Sequence, residues 1–356
     1  MNIAIVGVGL IGGSIALAAR ERVGAHISGF DRSDAALARA VARGAVDRGC
    51  VSLEEAVGDA DAVFVAVPVG ALPEAVDAAL AAAPAGGVVT DVGSTKRAVV
   101  AAHRDPRFVG GHPLAGAETS GVEHARADLF DAATWYLTPT TQTSGVLYER
   151  LYRLLRELGA RPVAIEPDVH DTILASVSHL PHVLANVLVS QAAHALAAGD
   201  ERLPATGPSF RDATRVAGAS SAIWTDIYIS NRDALVLGIE DTIARLGAVR
   251  DALAAGDAER ITAWNDTAAA DRRRLLEAEL AGGPLFELRA SVPNRPGVIA
   301  QLALELGRAG VNITDMALYP TADMSEGVVA LWIAGEEPAR RTEELVARLG
   351  FPVARA

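Results

Sequence analysis

His112 is the first residue in this chain whose type and setting point to chemistry. It lies in GGHPLAGAETSG (110–121), behind two glycines and ahead of Pro113, with no cysteine or second histidine at metal-ligand spacing beside it. An imidazole of near-neutral pKa suits a base that takes the proton of an alcohol as a hydride leaves. Ser94, in DVGSTK (91–96), reads equally as a helix N-cap and as a hydrogen-bond partner of the same hydroxyl.

A second polar group lies further along. SHLPH (178–182) sets His179 and His182 around Pro181, which marks a kink or a helix start, and both histidines are candidate substrate-binding residues. The pair His170–Asp171 reads as a cap that orients the same helix. In FRDATR (210–215), Arg211 and Arg215 are one helical turn apart and are expected on one face, a forked pair suited to substrate carboxylates. Asp212 or Glu118 would pair with them instead if the cluster is structural. The histidines lack a convincing third and fourth ligand, so no metal site is expected.

Elements able to position these residues are legible. GVGLIGGS (7–14) holds Gly7, Gly9 and Gly12 at dinucleotide-loop spacing, between an apolar run at 3–8 and a helical pattern that starts with Leu10 and Ile11. The glycines allow a tight turn, a close approach to a pyrophosphate and helix–strand packing. The helix N-terminus offers free N–H groups to the phosphates. Asp31 follows Gly12 by nineteen residues and is placed to accept from a ribose diol, which favours NAD over NADP. Arg32 weakens that preference, because it could pair with a 2′-phosphate or lie on the adenine.

Further apolar runs at 27–31, 61–68, 87–93 and 107–113 alternate with helical patterns, as in a parallel sheet covered on both faces. Runs at 134–139 and 161–167 complete an α/β domain. Ligands bind outside the carboxyl ends of such strands, where AVPV (66–69, with Val67 and Pro68), DVGSTK and GGHP are found. Their small residues are expected to leave room for a nicotinamide ring, beside which Ser94 and His112 emerge. From Asp168 to about Leu280 the chain reads as helices more apolar than a lone surface helix needs, which points to mutual packing or a second subunit. GGP (282–284) precedes a βαββαβ pattern. The expected organisation is therefore α/β: a Rossmann-type dinucleotide-binding domain over 1–166, an all-helical substrate and dimerisation domain over 167–281, and a small α+β domain over 285–356.

Composition bounds the partners. The 356 residues are 50% hydrophobic with a net charge of −12, which argues against nucleic acid or an anionic membrane surface. Cys50 is the only cysteine, so there is no internal disulfide. The first residues, MNIAIVGVG, lack a secretory n-region, and the apolar stretch at 173–198 is interrupted by His179, Pro181, His182, Asn186 and Gln191. A soluble cytoplasmic protein is expected.

The order of the glycine loop, DVGSTK, GGHPLAGAETSG, SHLPH and FRDATRVA resembles the TyrA family of prephenate and arogenate dehydrogenases, over essentially the whole chain. The resemblance implies that His112 takes the proton of the substrate's ring hydroxyl and that Ser94 touches the same hydroxyl and helps place the nicotinamide. It implies that Arg215 holds a substrate carboxylate and that His182 lies near the substrate's side chain, with Glu118 and Asp212 at the site mouth pairing with arginine. Residues 292–313 resemble an ACT domain, which implies an amino-acid site using Asn294, Gly297 and Asn312 and tyrosine as feedback inhibitor. The family's helical domain is its dimer interface. Ala117 stands where members often carry a small hydroxyl residue, and GPSF (207–210) replaces a more glycine-rich turn.

The expected activity is NAD-dependent oxidative decarboxylation of prephenate, since Arg211 and His182 make the side-chain end cationic. Arogenate oxidation, or amino-acid sensing by a relic nucleotide fold, are the alternatives. A β-hydroxyacid dehydrogenase would more readily use a lysine in the helical part, and residues 168–249 contain none.

Overall fold

The computed structural model describes residues 1–116, 119–197, 206–279, 284–293, 298, 301–302, 305–306, 309, 311, 313–321 and 325–356. Glu118, Ala117, Asn294, Gly297 and Asn312 lie outside them, as does most of the helix expected at 297–309. The chain forms two compact units, Met1–Ala244 and Arg245–Ala356.

In the first unit the expected strands are present. β1 (Asn2–Val6), β2 (His26–Phe30), β3 (Arg48–Gly49), β4 (Ala62–Val65), β5 (Val88–Asp91), β6 (Phe108–Pro113), β7 (Thr134–Thr138) and β8 (Arg161–Ala164) form one sheet in the order β3-β2-β1-β4-β5-β6-β7-β8. Strands without polar alternation are explained by two cores. Ile3 and Ile5 of β1 join one buried cluster, while Ala4 and Val6 join the other on the opposite face. One departure from a parallel sheet is β7, which runs antiparallel to β6. Between them lies no crossover helix, only a 3-10 turn at Val122–His124 among the described residues.

Helix α1 (Leu10–Val23) starts directly from the glycine loop. Gly7 has φ +95°, and a methyl group on Gly12 would lie 2.0 Å from the Gly7 carbonyl oxygen, so both glycines are required by the turn itself. The remaining helices of the sheet layer are α2 (Asp34–Ala42), α3 (Leu53–Val57), α4 (Leu72–Ala82), α5 (Arg97–Ala102) and α6 (Gly145–Glu157).

The helical part follows β8. Helix α7 (Pro167–Leu174) passes through a π-turn at Ala175–His179 into α8 (Leu180–Ala197). SHLPH thus marks a break in helical phase, a device common at functional sites. After it come α9 (Pro208–Thr214), α10 (Ser221–Ser230) and α11 (Arg232–Ala255). Among the polar contacts that tie this part to the sheet layer are Gly70 N–H to Asp226 at 3.1 Å, Thr95 to Ser230 at 2.8 Å, and Arg97 to Asp168 at 2.6 Å. The helices up to Ala244 fall in one compact unit with the sheet.

By length and composition the run Pro167–Ala195 is long and apolar enough to cross a membrane, with a mean hydropathy of 1.5. The polar interruptions read from sequence therefore do not exclude a span by themselves. The run nevertheless buries His170, Asp171 and His179.

The second unit contains α12 (Ala258–Glu279) and a sheet of β9 (Leu285–Pro293), β10 (Ile313–Pro320), β11 (Glu326–Ala334) and β12 (Val353–Arg355), in the order β10-β11-β9-β12. Leu288, Ala290, Val292, Val329, Leu331 and Ile333 form its core with Ala339 and Val346 of α13 (Glu336–Arg348).

Candidate active site

A cavity of about 780 Å³ opens at the carboxyl end of β6. His112, Ser94, His179, His182 and Arg215 all line it, together with Trp224 and the apolar side chains of Leu174 and Ile227. Residues more than a hundred apart in sequence are brought to one wall because α7, the π-turn and α10 pack over the sheet end.

His112 is buried at 8% exposure, and its environment sets its proton. Its Nδ1 lies 2.9 Å from Nε2 of His170, whose Nδ1 lies 2.8 Å from Oδ1 of Asp171. Asp171 also accepts the backbone N–H groups of Lys96 at 2.7 Å and Arg97 at 3.0 Å. Burial works against this carboxylate, but those hydrogen bonds outweigh it and hold Asp171 below the usual carboxylate range. An ionised carboxylate only accepts, so His170 donates from Nδ1. With its Nδ1–H given to Asp171, a singly protonated His170 accepts at Nε2, so His112 donates from Nδ1 and keeps its lone pair on Nε2. Burial pushes His112 well below its ordinary pKa, so the ring is a neutral acceptor.

The sequence reading of His170–Asp171 as a cap on its own helix is corrected here. Asp171 caps α5 instead, receiving the amides at the start of that helix, and so takes the place proposed for Ser94 as an N-cap. Ser94 is left facing the cavity.

Below the relay is a second buried pair that sequence reasoning missed. Lys96 and Asp91, both fully buried, form an ion pair. Asp91 also accepts the N–H of Gly111 at 3.1 Å and that of Gly93 at 2.9 Å, which anchors the peptide ahead of His112. A signal was available, since Lys96 is the only lysine in the chain. The glycines before His112 also change meaning. A methyl group on Gly111 would lie 2.6 Å from the Asp91 carbonyl, and one on Gly110 2.3 Å from Thr138, so these glycines make room for neighbouring strands, not for a ligand.

On the helical wall, the ring of His182 stacks on Trp224 with centroids 3.4 Å apart, and burial followed by nearby Arg215 lowers its pKa. Arg215 lies just past the end of α9 and reaches the cavity. Arg211 does not line it; its guanidinium donates to the Thr206 carbonyl at 3.1 Å. Asp212 is exposed and does not line it either. Arg215, the C-cap of α9, keeps helical dihedrals, so the two arginines stay one turn apart; within one chain the Arg211 guanidinium is drawn to the Thr206 carbonyl and only Arg215 lines the cavity.

A second cavity, of about 480 Å³, lies over the glycine loop and is lined by Gly7, Gly9, Asp31, Arg32, Val67 and Pro68, with Glu74 in addition. Leu10, Ile11 and Gly12 form the first turn of α1 beside it. Asp31 is held by the N–H groups of Val8 at 2.9 Å and Ser33 at 2.8 Å. A methyl group on Gly9 would meet nothing within 4 Å, so the loop opens onto free space, as a pyrophosphate cradle requires.

A Rossmann-type sheet with a nucleotide cradle, and a buried histidine relay at the neighbouring strand end, define a dinucleotide-dependent dehydrogenase. Residues 15–164 match the family description "Prephenate dehydrogenase, nucleotide-binding domain" and residues 166–266 match "Prephenate dehydrogenase, dimerization domain". The chain is 34% identical to the prephenate dehydrogenase of Bacillus subtilis, over 97% of this chain and 95% of that protein. It is also 34% identical to the cyclohexadienyl dehydrogenase of Zymomonas mobilis, over 72% of this chain and 90% of that one. The crystal structure of Aquifex aeolicus prephenate dehydrogenase with hydroxyphenyl propionate and NAD+ is 30% identical, with a TM-score of 0.72 over 77% of this chain and 98% of that one. The chain belongs to the prephenate dehydrogenase family.

Proposed function

We propose that this protein oxidises prephenate with NAD+ and releases carbon dioxide, giving 4-hydroxyphenylpyruvate for tyrosine biosynthesis. The observation that carries this reading is the His112–His170–Asp171 chain, which turns a lone pair of a neutral imidazole onto the same cavity as Arg215. Gly7, Gly9, the first turn of α1, Asp31, Val67 and Pro68 hold the cofactor, with the Asp31 carboxylate toward the adenosine ribose. When bound, NAD+ supplies the hydride acceptor.

His112 Nε2 accepts the proton of the ring hydroxyl at C4 as the C4 hydride departs. The C–O bond becomes a carbonyl, the C1 carboxylate leaves as carbon dioxide, and the electrons it releases complete the aromatic ring. Ser94 hydrogen-bonds the same hydroxyl. Arg215 orients the substrate anion, a contribution of position as much as charge. His182, flat against Trp224, lies at the substrate's side chain. The reading of Arg211 and Asp212 as substrate contacts gains no support within one chain, so the cationic character of the site comes from Arg215.

The exposed apolar residues of the helical part, among them Val187, Leu188, Val236 and Leu237, are read as a homodimer face, in line with the dimerisation-domain match. The second unit is read as an ACT-like module that binds tyrosine as inhibitor, and the protein as cytoplasmic. NADH formation assayed with prephenate and with arogenate tests the central reading. Turnover of prephenate is expected, and turnover of neither acid would overturn it.

A further inference from the structure

Among the described residues, four have a buried side-chain polar atom without a hydrogen-bond partner: Trp135, His179, Tyr228 and Asn231. Only His179 of these lines the 780 Å³ cavity, and the orphan is its Nε2. The ring is 1% exposed and closes the π-turn between α7 and α8.

Its proton can be placed from its neighbour. Nδ2 of Asn231 lies 2.7 Å from the main-chain carbonyl of Asp171 and 3.1 Å from Nδ1 of His179. A carbonyl oxygen only accepts, so the amide group facing it is the NH2, and the flipped amide would set oxygen against oxygen. The same NH2 donates to His179, so Nδ1 carries the lone pair and Nε2 the proton. Burial holds the His179 pKa down at about 4, which keeps the ring neutral near pH 7. A buried N–H without an acceptor is costly, and a ligand oxygen at that point removes the cost.

We propose that Asn231 sets His179 as a neutral N–H donor to a carbonyl or carboxylate oxygen of the bound substrate, so that the pocket rejects an ammonium group at that position. The inference rests on the cavity being the substrate site. The two histidines then present opposite polarity: His112 accepts a proton at Nε2, whereas His179 offers one. Both settings converge on Asp171, whose carboxylate orients His170 and whose main-chain carbonyl orients Asn231. An ammonium group against His179 would place donor against donor, while a keto or carboxylate oxygen completes the bond. Asn231 does not line the cavity and acts as a positioning residue.

The test uses the full-length chain with NAD+ and with prephenate and arogenate as probes. A glutamine amide nitrogen stands where Nε2 stands, and an asparagine amide nitrogen where Nδ1 stands. His179→Asn is expected to raise KM for prephenate about tenfold or more, with a smaller change in kcat. His179→Gln should recover KM to within about threefold of wild type. Asn231→Asp accepts from Nδ1–H and draws the proton off Nε2, so it should narrow the preference for prephenate over arogenate. An independent reading comes from ¹⁵N shifts of the histidine rings in the free protein, where His179 should show a protonated Nε2 and a bare Nδ1. A protonated Nδ1, or an unchanged KM in His179→Asn, overturns the proposal. If the wild type turns over neither acid, the assigned reaction fails and substrate recognition by His179 fails with it, while the ¹⁵N shifts still decide whether Asn231 sets the ring.

Discussion

Nδ1 of His112 and Nε2 of His170, 58 residues apart in the chain, meet at 2.9 Å in the protein interior. Because His170 is in turn held by Asp171, the second histidine decides which nitrogen of the first carries a proton. The logic is that of a serine-protease triad, with a histidine relay in place of a single imidazole.

That arrangement predicts how the relay fails. His112→Asn should lower kcat by about two orders of magnitude or more while substrate still binds. Asp171→Asn should lower kcat by about 10²–10⁴, because an amide cannot hold His170 in the donating tautomer as a carboxylate does. Steady-state NADH formation, with circular dichroism to confirm folding, checks both. Near-wild-type turnover in either variant would remove that residue from the mechanism.

Arg215→Ala should act differently, chiefly raising KM for prephenate with a smaller effect on kcat, as expected for loss of ground-state anchoring. Arg211→Ala, measured alongside it, should shift KM less, since in one chain Arg211 bonds the Thr206 carbonyl away from the cavity.

The acid side of the pH profile follows from burial. His112 and His179 both have pKa values lowered on folding, so the unfolded chain binds more protons than the folded one below pH ~6.5. Stability is complete above that pH and is lost as pH falls. For His179 the loss runs from pH ~6.5 down to the folded value of about 4, on the order of 3 kcal/mol. Activity should hold level from neutrality to below pH ~6.5, because His112 stays unprotonated there. Urea melts at pH 7 and pH 5 test the first statement. An acid limb of kcat/KM at or above pH ~6.5 would contradict the second.

Replacing Lys96 with methionine should destabilise the fold by about 3–5 kcal/mol, since it strands the Asp91 carboxylate beneath the site without its cation. Chemical denaturation gives the number. A loss under about 1 kcal/mol would show that the pair is not a tight buried one.

The glycine loop separates folding from binding. Gly12→Ala places a methyl group 2.0 Å from the Gly7 carbonyl and should lower stability, whereas at Gly9 a methyl group meets nothing. Gly9→Ala should therefore fold normally yet weaken NAD+ binding, measurable by calorimetry. Unchanged affinity in Gly9→Ala would place the pyrophosphate elsewhere.

The sequence alone determined the alternating strand–helix order, the nucleotide loop and Asp31, and the position of His112 at a strand end. These are local properties, written in spacing and in runs of apolar residues, and they survive whatever the rest of the chain does. Tertiary structure decided the partners. Asp171 looked like a cap for its own helix, but it lies against the start of α5, 75 residues earlier. Asn231 carries no motif and gains its role only where α10 ends beside the π-turn. Arg211 and Arg215 share a helical spacing, but within one chain Arg211 bonds the Thr206 carbonyl while Arg215 lines the cavity. Hydrogen-bond direction in a buried network depends on which groups are brought within 3 Å and shut off from water, and residue spacing along the chain does not encode that.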